Sequence, residues 1–158
     1  MTDKAAQIIK LLQLRNNTFA AAESCTGGSV IRILTEVPGS SLSVWGGVTA
    51  YSDDAKVKIL GVSAAVLEQY GAVSSQTAVS MAQGIKKISG AEWTAAVTGI
   101  AGPTGGSAEK PVGTVWLAWC NPSGEAEAKH FFFTGNRNSI REKAVAEVLN
   151  GLLFSLDA

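Results

Sequence analysis

The sequence predicts an α/β fold, specifically a three-layer α/β/α sandwich built around a mixed sheet. Over most of the chain, short apolar stretches of strand length alternate with amphipathic stretches whose apolar residues have helical spacing. Near the end, two strand-like stretches are separated by residues 121–124 (Asn-Pro-Ser-Gly), which are typical of a hairpin turn. The length of 158 residues suits one domain. Because no repeat or linker is visible, we expect residues 1–158 to form it.

Seven elements are predicted in the first 90 residues. Helical spacing of apolar residues indicates five helices, with serine N-caps at Ser52 and Ser74 and glycine terminators at Gly61 and Gly90. Two apolar runs bounded by turn residues indicate strands. In chain order these elements are a helix at 3–15, a strand at 18–22, a helix at 29–36, a strand at 44–51, and helices at 52–60, 63–70 and 74–88.

The rest of the chain predicts three strands and a final helix. Residues 93–98 are nearly all apolar, as expected of a central strand that is covered on both faces. A glycine-rich loop at 99–110 separates it from predicted strands at 112–120 and 125–134. Asn136 or Asn138 begins the last helix, whose apolar stripe consists of Ile140, Ala144, Val145, Val148, Leu149, Leu152 and Leu153.

Composition argues against several classes of function. Thirteen Lys and Arg balance thirteen Asp and Glu without any basic cluster, so nucleic-acid binding is not expected. No apolar run approaches the roughly 18 residues of a membrane span, and the first residues do not resemble a signal peptide. Two cysteines, Cys25 and Cys120, form no disulfide framework, which favours a reducing, cytoplasmic setting. Only 16% of residues are charged, which indicates a partly covered surface and predicts a homo-oligomer, a dimer or larger.

The single histidine, His130, narrows the catalytic possibilities. A zinc site with several imidazoles cannot form within one chain, and a Ser-His-Asp triad would have to use His130. That residue lies in a strand-like stretch without a nearby turn, so we interpret it as a partly exposed strand residue.

The turn at residues 23–28 (Glu-Ser-Cys-Thr-Gly-Gly) connects a predicted strand to a predicted helix. A helix start offers unpaired N–H groups and the positive end of the helix dipole, which suit an anion or a developing oxyanion. Ser24, Cys25 and Thr26 could act there as nucleophiles or hydrogen-bond donors. A capped helix start with small residues for packing explains the same pattern.

A second polar segment, residues 51–56, could supply a base. Serine is a poor nucleophile at neutral pH without one, and with histidine nearly absent a lysine of lowered pKa is the natural substitute. Lys56 could take this role, with Tyr51 relaying a proton or orienting the base. The alternative is an ordinary helix cap followed by a solvated lysine.

Two later segments could bind a substrate. The glycine-rich loop at 99–110 follows a central strand, where open α/β sheets bind ligands, and it could close over a substrate or its phosphate. It matches neither the P-loop nor the dinucleotide-binding pattern. Arg137, at a predicted helix start, could clamp a phosphate or carboxylate. A structural crossover loop and a surface arginine are the alternatives.

Five segments together resemble the CinA C-terminal domain family, and the resemblance runs essentially from end to end. They are Ala-Glu-Ser-Cys-Thr-Gly-Gly at 22–28, Tyr-Ser-x-x-Ala-Lys at 51–56, Gly-Ala-Val-Ser at 71–74, Thr-Gly-Ile-Ala-Gly-Pro-x-Gly-Gly at 98–106 and Glu-Lys-Pro-Val-Gly-Thr-Val-Trp at 109–116. The resemblance implies the α/β/α fold and self-association. It also implies hydrolysis of nicotinamide mononucleotide to nicotinate mononucleotide and ammonia, with no metal or cofactor.

The resemblance further implies roles for individual residues. Ser24 matches the nucleophile, Lys56 the base, and Tyr51 a tyrosine between them in sequence. Arg137 matches the arginine of a Gly-Asp-Arg stretch in which this chain has Asn136, and this difference bears on how Arg137 is oriented. The residues expected to cradle the ligand are Thr26, Gly27, Gly28, Gly99, Ala101, Gly102, Gly105, Gly106 and Arg137.

Other functions are compatible with the same sequence. The domain could bind a pyridine nucleotide or a protein partner without turnover, since the family is named for associations with competence and DNA damage. It could also hydrolyse a different amide or nucleotide. We interpret Cys25 as a small buried residue, and the alternative is a nucleophile, because a thiol near a helix start can have a depressed pKa.

Overall fold

The computed structural model describes residues 1–157 and confirms the predicted three-layer α/β/α fold. Helices and strands follow in the predicted order, with one additional 3-10 helix at Ser40–Leu42. The helices are α1 (Thr2–Leu14), α2 (Ser29–Thr35), α3 (Asp53–Lys58), α4 (Ala64–Tyr70), α5 (Ser75–Ser89) and α6 (Arg137–Asp157). The strands are β1 (Phe19–Glu23), β2 (Val44–Thr49), β3 (Trp93–Gly99), β4 (Thr114–Cys120) and β5 (Ala126–Phe132).

The five strands form one mixed sheet in the order β2-β1-β3-β4-β5. β1 pairs in parallel with β2 on one side and with β3 on the other. β4 pairs antiparallel with both β3 and β5, and the predicted hairpin turn at residues 121–124 joins β4 to β5. Because parallel strands share their direction, the carboxyl ends of β1, β2 and β3 meet at one edge of the sheet.

Helices cover both faces of the sheet, and successive strand residues point alternately into the two apolar cores between sheet and helices. All five residues of β1 are buried. Phe19 and Ala21 join one core, while Ala20 and Ala22 join the other. The first core contains buried residues of α1, α2 and α6, including Ile8, Leu12, Leu34, Val148 and Leu149. The second contains residues around α5, including Leu60, Val62, Ala78, Met81, Ala82 and Ile85.

Several element boundaries differ from the sequence prediction. β2 ends at Thr49 and not at residue 51, and α3 ends at Lys58 and not at residue 60. β4 begins at Thr114 because Gly113, with φ +99°, turns the chain before the strand. In α6 the buried stripe includes Leu156, whereas the predicted Leu153 is only half-buried.

The single histidine and the two cysteines lie in environments that the structure defines. His130 is exposed on β5, and its ring packs against that of Trp116 with centroids 5.1 Å apart. Cys25 and Cys120 are both free and buried. Across residues 1–157, no helix has both the length and the apolar character that crossing a membrane requires.

Gly84 lets α5 pack directly against the backbone that follows α3. A Cβ at this position would lie 2.0 Å from the carbonyl oxygen of Leu60, far inside van der Waals contact. Leu60 itself is buried in the second core, so the backbone there has little room to move.

Replacing Gly84 with alanine should therefore destabilise the protein, although alanine is the better helix former. Overpacking typically costs about 1–3 kcal/mol, and a Cβ 2.0 Å from a backbone oxygen is expected at the upper end of that range, above the roughly 1 kcal/mol that helix propensity would contribute. The free energy of unfolding, measured in urea, should fall for Gly84→Ala and change little for Gln83→Ala at the exposed neighbouring position. A more stable Gly84→Ala variant would contradict the packing described here.

Candidate active site

The turns that follow β1, β2 and β3 meet at the carboxyl edge of the sheet. In the register of the parallel pairs, Glu23 lies beside Thr49 of β2 and Val97 of β3. The backbone N–H of Ser24 donates to the Val97 carbonyl over 3.0 Å and so fixes the position directly after β1. Segments that are far apart in the sequence therefore surround one cavity.

This cavity has a volume of about 320 Å³. Clefts of about 340 and 370 Å³ lie elsewhere on the surface, so volume does not single it out. Its lining does, because it combines hydroxyl, amine, carboxylate and guanidinium groups with glycine-rich backbone. The lining residues are Ser24, Cys25, Tyr51, Asp53, Lys56, Ala72, Val73, Thr98, Gly99, Ile100, Ala101, Gly102, Thr104, Gly105 and Arg137.

Ser24 and Lys56 are in contact at the base of this cavity. Nζ of Lys56 lies 3.3 Å from Oγ of Ser24 and 3.3 Å from the carbonyl oxygen of Tyr51. Helix α3 brings the lysine there: Ser52 caps its N-terminus by accepting from the Ala55 N–H, and Lys56 follows one turn later. The predicted pairing of a serine with a lysine is thus present in space, across 32 positions of sequence.

Lys56 is the most unusual of these side chains because it is almost entirely buried. Only 1% of the residue is exposed. Burial disfavours the ammonium form, and this lowers the pKa of Lys56 below its ordinary value. The carboxylate of Asp53, whose Oδ1 lies 3.6 Å from Nζ, opposes that shift by raising the pKa. A lysine of this kind has the character of a base.

The Cys25 thiol lacks the lowered pKa that a reactive thiol requires. Burial raises its pKa to about 11, and the positive charges of Arg141 and Arg137 offset this only in part. The thiol is therefore protonated at neutral pH, and the hypothesis of a depressed pKa at this helix start is wrong.

Glu23, directly before Ser24, has a structural role that was not predicted from the sequence. Its carboxylate is buried and accepts the Thr26 hydroxyl over 2.6 Å and the Gly28 N–H over 3.0 Å. It also accepts the N–H groups of Val30 and Ile31, both over 3.1 Å. This carboxylate occupies the start of α2, so the expectation of unpaired N–H groups there is wrong. A buried acid at the end of an apolar strand, directly before a helix, is the signal that could have indicated it.

The cradle residues predicted around the first turn therefore fall outside the cavity. Thr26 is completely buried, with its hydroxyl on Glu23. Neither Thr26 nor Gly27, Gly28 or Gly106 belongs to the cavity lining. The predicted residues that the structure does bring together with Ser24 and Lys56 are Tyr51, Gly99, Ala101, Gly102, Gly105 and Arg137.

Arg137 links the glycine-rich loop to Tyr51 at the mouth of the cavity. Its Nη1 donates to the Gly102 carbonyl over 2.8 Å and its Nη2 to the Tyr51 hydroxyl over 2.9 Å. Asn136 begins α6 directly before this arginine: its Oδ1 accepts the N–H of Ser139 over 2.9 Å. Asparagine and aspartate are equally good N-caps. Asn136 therefore preserves the helix start, but it lacks the negative charge that an aspartate would carry at this position.

Further lining residues come from segments that the sequence reasoning singled out without assigning them a role. The segment at 71–74 contributes Ala72 and Val73, and Thr98 holds it to β3 by donating its hydroxyl to the Ala72 carbonyl over 2.7 Å. Asp53 enters from the first turn of α3. Within residues 1–157, no three His, Cys, Asp or Glu side chains are grouped so that they could hold a metal ion.

Glu23→Gln should destabilise the protein and disturb the turn that carries Ser24. The amide would direct an NH₂ group at donors that now share the carboxylate, at a cost of about 2–3 kcal/mol for hydrogen bonds to a buried charged group. Urea unfolding measures this loss. Glu36→Gln, which removes only an exposed pairing with Arg32 on α2, should cost less than about 1 kcal/mol. Equal effects of the two substitutions would contradict the role of Glu23.

The sequence of this chain matches a family model and several known proteins. A family model of the CinA C-terminal domain matches residues 1–156. The nicotinamide-nucleotide amidohydrolase PncC of Escherichia coli K12 is 42% identical over 146 residues, which cover 92% of this chain and 88% of PncC. A CinA-like protein of Synechocystis is 50% identical over 125 residues, which cover 78% of this chain and 30% of that protein.

The chain spans about a third of the length of the curated CinA-like relatives that it matches. The crystal structure of the competence/damage inducible protein CihA from Agrobacterium tumefaciens superimposes with a TM-score of 0.95 at 42% identity, covering 99% of this chain and 95% of CihA. On the match of the family model, the order of the five segments and the shared fold, this chain belongs to the CinA C-terminal domain family.

Proposed function

We propose that this chain is an amidohydrolase that converts nicotinamide mononucleotide and water to nicotinate mononucleotide and ammonia. The observation that carries the proposal is the contact between Ser24 and the buried Lys56 at the base of the cavity. The similarity to PncC, which covers most of both chains, supports this choice of substrate.

In the first step, neutral Lys56 accepts the proton of the Ser24 hydroxyl, and Oγ attacks the carbon of the carboxamide. Burial favours the neutral amine at the start of this step. The ammonium formed by the transfer lies beside the Asp53 carboxylate and the Tyr51 carbonyl, both of which stabilise a positive charge.

The oxyanion of the tetrahedral intermediate needs donors that are free and face the cavity. Within residues 1–157, the backbone N–H groups of Cys25 and Ala101 donate to no acceptor of another residue, and both residues line the cavity. The N–H that follows a nucleophilic serine is a common oxyanion donor in hydrolases. We assign this role to Cys25 N–H together with the glycine-rich loop, and not to residues 26–28.

The intermediate then breaks its C–N bond, and the leaving nitrogen takes the proton held by Lys56 and departs as ammonia. An ester of the nicotinate carbonyl with Ser24 remains. Water attacks this ester after giving a proton to Lys56, and the proton returns to Oγ when nicotinate mononucleotide leaves. One amine thus serves as base and acid in both halves of the reaction.

Recognition of the remainder of the substrate falls to the mouth of the cavity. Arg137 is exposed there, and its guanidinium already holds the glycine-rich loop and Tyr51 in place. We assign the phosphate of the nucleotide to the neighbourhood of this guanidinium, since arginine binds phosphate through paired N–H donors. Self-association and a cytoplasmic location stay predictions from composition.

Ser24→Ala and Lys56→Met should each reduce ammonia release from nicotinamide mononucleotide at least about a thousandfold. The first substitution removes the nucleophile, and the second removes the base that activates it. Ammonia is measured in a coupled assay alongside the wild type. Lys58→Met is the matched control: Lys58 lies on the same helix but is exposed and paired with Asp54, so its loss should leave turnover intact.

Activity in Ser24→Ala would overturn the assignment of the nucleophile. Tight binding of nicotinamide mononucleotide by the wild type without ammonia would identify a non-catalytic binding domain. Ammonia release from other amides or nucleotides alone would identify a different substrate.

Cys25→Ser should retain activity within about threefold of the wild type, because a buried, protonated thiol contributes no nucleophile and the substitution keeps the backbone N–H. The same ammonia assay measures it. Abolished turnover in a Cys25→Ser variant that unfolds at the wild-type urea concentration would instead favour the thiol as nucleophile.

A further inference from the structure

Asp53 is the carboxylate closest to the proposed base. It is the first residue of α3, one turn before Lys56, and its Oδ1 lies 3.6 Å from Nζ. The two side chains differ sharply in environment: that of Lys56 is 2% exposed and that of Asp53 is 63% exposed. The other two contacts of Nζ, the Ser24 hydroxyl and the Tyr51 carbonyl, are uncharged.

The remaining titratable groups around Nζ do not replace this carboxylate. From the turn after β1, Cys25 presents a thiol that stays protonated at neutral pH. From the loop after β2, Tyr51 presents a phenol that accepts a hydrogen bond from Arg137. From α6, Arg137 adds a permanent positive charge, which disfavours a second positive charge nearby. Asp53 is therefore the group that favours the ammonium form of Lys56.

Two opposing effects thus act on one amine. Burial favours the neutral form, which accepts a proton from Ser24, whereas the carboxylate favours the ammonium, which protonates the leaving nitrogen. Removing the carboxylate while keeping the shape of the side chain would leave burial unopposed. The amine would then stay neutral at lower pH.

We propose that Asp53, at the edge of the cavity, is a positioning residue that holds the protonated form of Lys56 and thereby sets the lower pH limit of the reaction. This inference rests on the proposed function of Lys56 as the base. It assigns Asp53 no contact with the substrate.

The test compares Asp53→Asn with Asp54→Asn. Both substitutions remove one negative charge from the first turn of α3 and so change the charge at the helix start equally. Only Asp53 pairs with Lys56, because Asp54 pairs with the exposed Lys58 over 3.0 Å. The pH dependence of kcat/KM for nicotinamide mononucleotide reports the titration of the base in the free enzyme.

In the wild type, activity should fall as pH drops through the pKa of Lys56, because the amine becomes charged. In Asp53→Asn this acid limb should move to lower pH by about half to one unit, as expected for the loss of a partly exposed charge near 4 Å. In Asp54→Asn it should stay within about 0.2 unit of the wild type. An acid limb that is unchanged in Asp53→Asn, or that moves equally in both variants, would overturn the proposal.

A direct titration separates this proposal from the proposed function. Lysines labelled with ¹³C at Cε are followed by NMR in the same three proteins, and the Lys56 signal is identified by its absence in Lys56→Met. A lower titration midpoint in Asp53→Asn alone supports the pairing even if the wild type releases no ammonia. Identical midpoints in the three proteins contradict it even if the enzyme is active.

Discussion

The parallel pairing of β1 with both β2 and β3 is the constraint on which the rest of the site depends. It places the chain after Glu23, Thr49 and Gly99 at one edge of the sheet. The turn with Ser24, the proposed nucleophile, the helix that carries Lys56, the proposed base, and the glycine-rich loop each follow one of these strand ends. An antiparallel strand at either position would have sent one of the three to the opposite edge. β1 is buried on both faces, and the hydrogen bond from the Ser24 N–H to the Val97 carbonyl fixes the position of Ser24.

Two buried ionisable side chains at this edge, Glu23 and Lys56, have different surroundings. Glu23 satisfies the start of α2 with several hydrogen bonds, so the helix start is not free to bind an anion. Lys56 has uncharged oxygens as its two hydrogen-bond partners and a partly exposed carboxylate nearby. The Glu23 carboxylate thus accepts several hydrogen bonds, whereas, among the residues that the structure describes, the only charged partner of the Lys56 amine is the largely exposed Asp53. Burial also lowers the pKa of Lys56, and buried groups with a perturbed pKa are typical of functional sites.

Much of this arrangement could be predicted from the sequence. Apolar periodicity and turn residues indicated the order of helices and strands, and the scarcity of histidine led from Ser24 to a lysine base, a pairing that the geometry brings together. The position of Glu23 between an apolar strand and a helix could have indicated a cap, but the N–H groups that it accepts could not be predicted, because they depend on the angle at which the chain leaves the strand. For the same reason the cradle assigned to Thr26, Gly27 and Gly28 does not reach the cavity, whereas that assigned to Ala101, Gly102 and Gly105 does.

The central claim is that Ser24 becomes acylated by the substrate. Peptide mapping by mass spectrometry after acid quench, at a series of times during turnover of nicotinamide mononucleotide, tests it most directly. We expect the nicotinoyl nucleotide on the peptide that contains Ser24, with fragmentation locating it at that residue and hydroxylamine removing it as an ester. Acylation of Cys25 or Thr26, or ammonia release while the Ser24 peptide stays unmodified at every time point, would contradict the account.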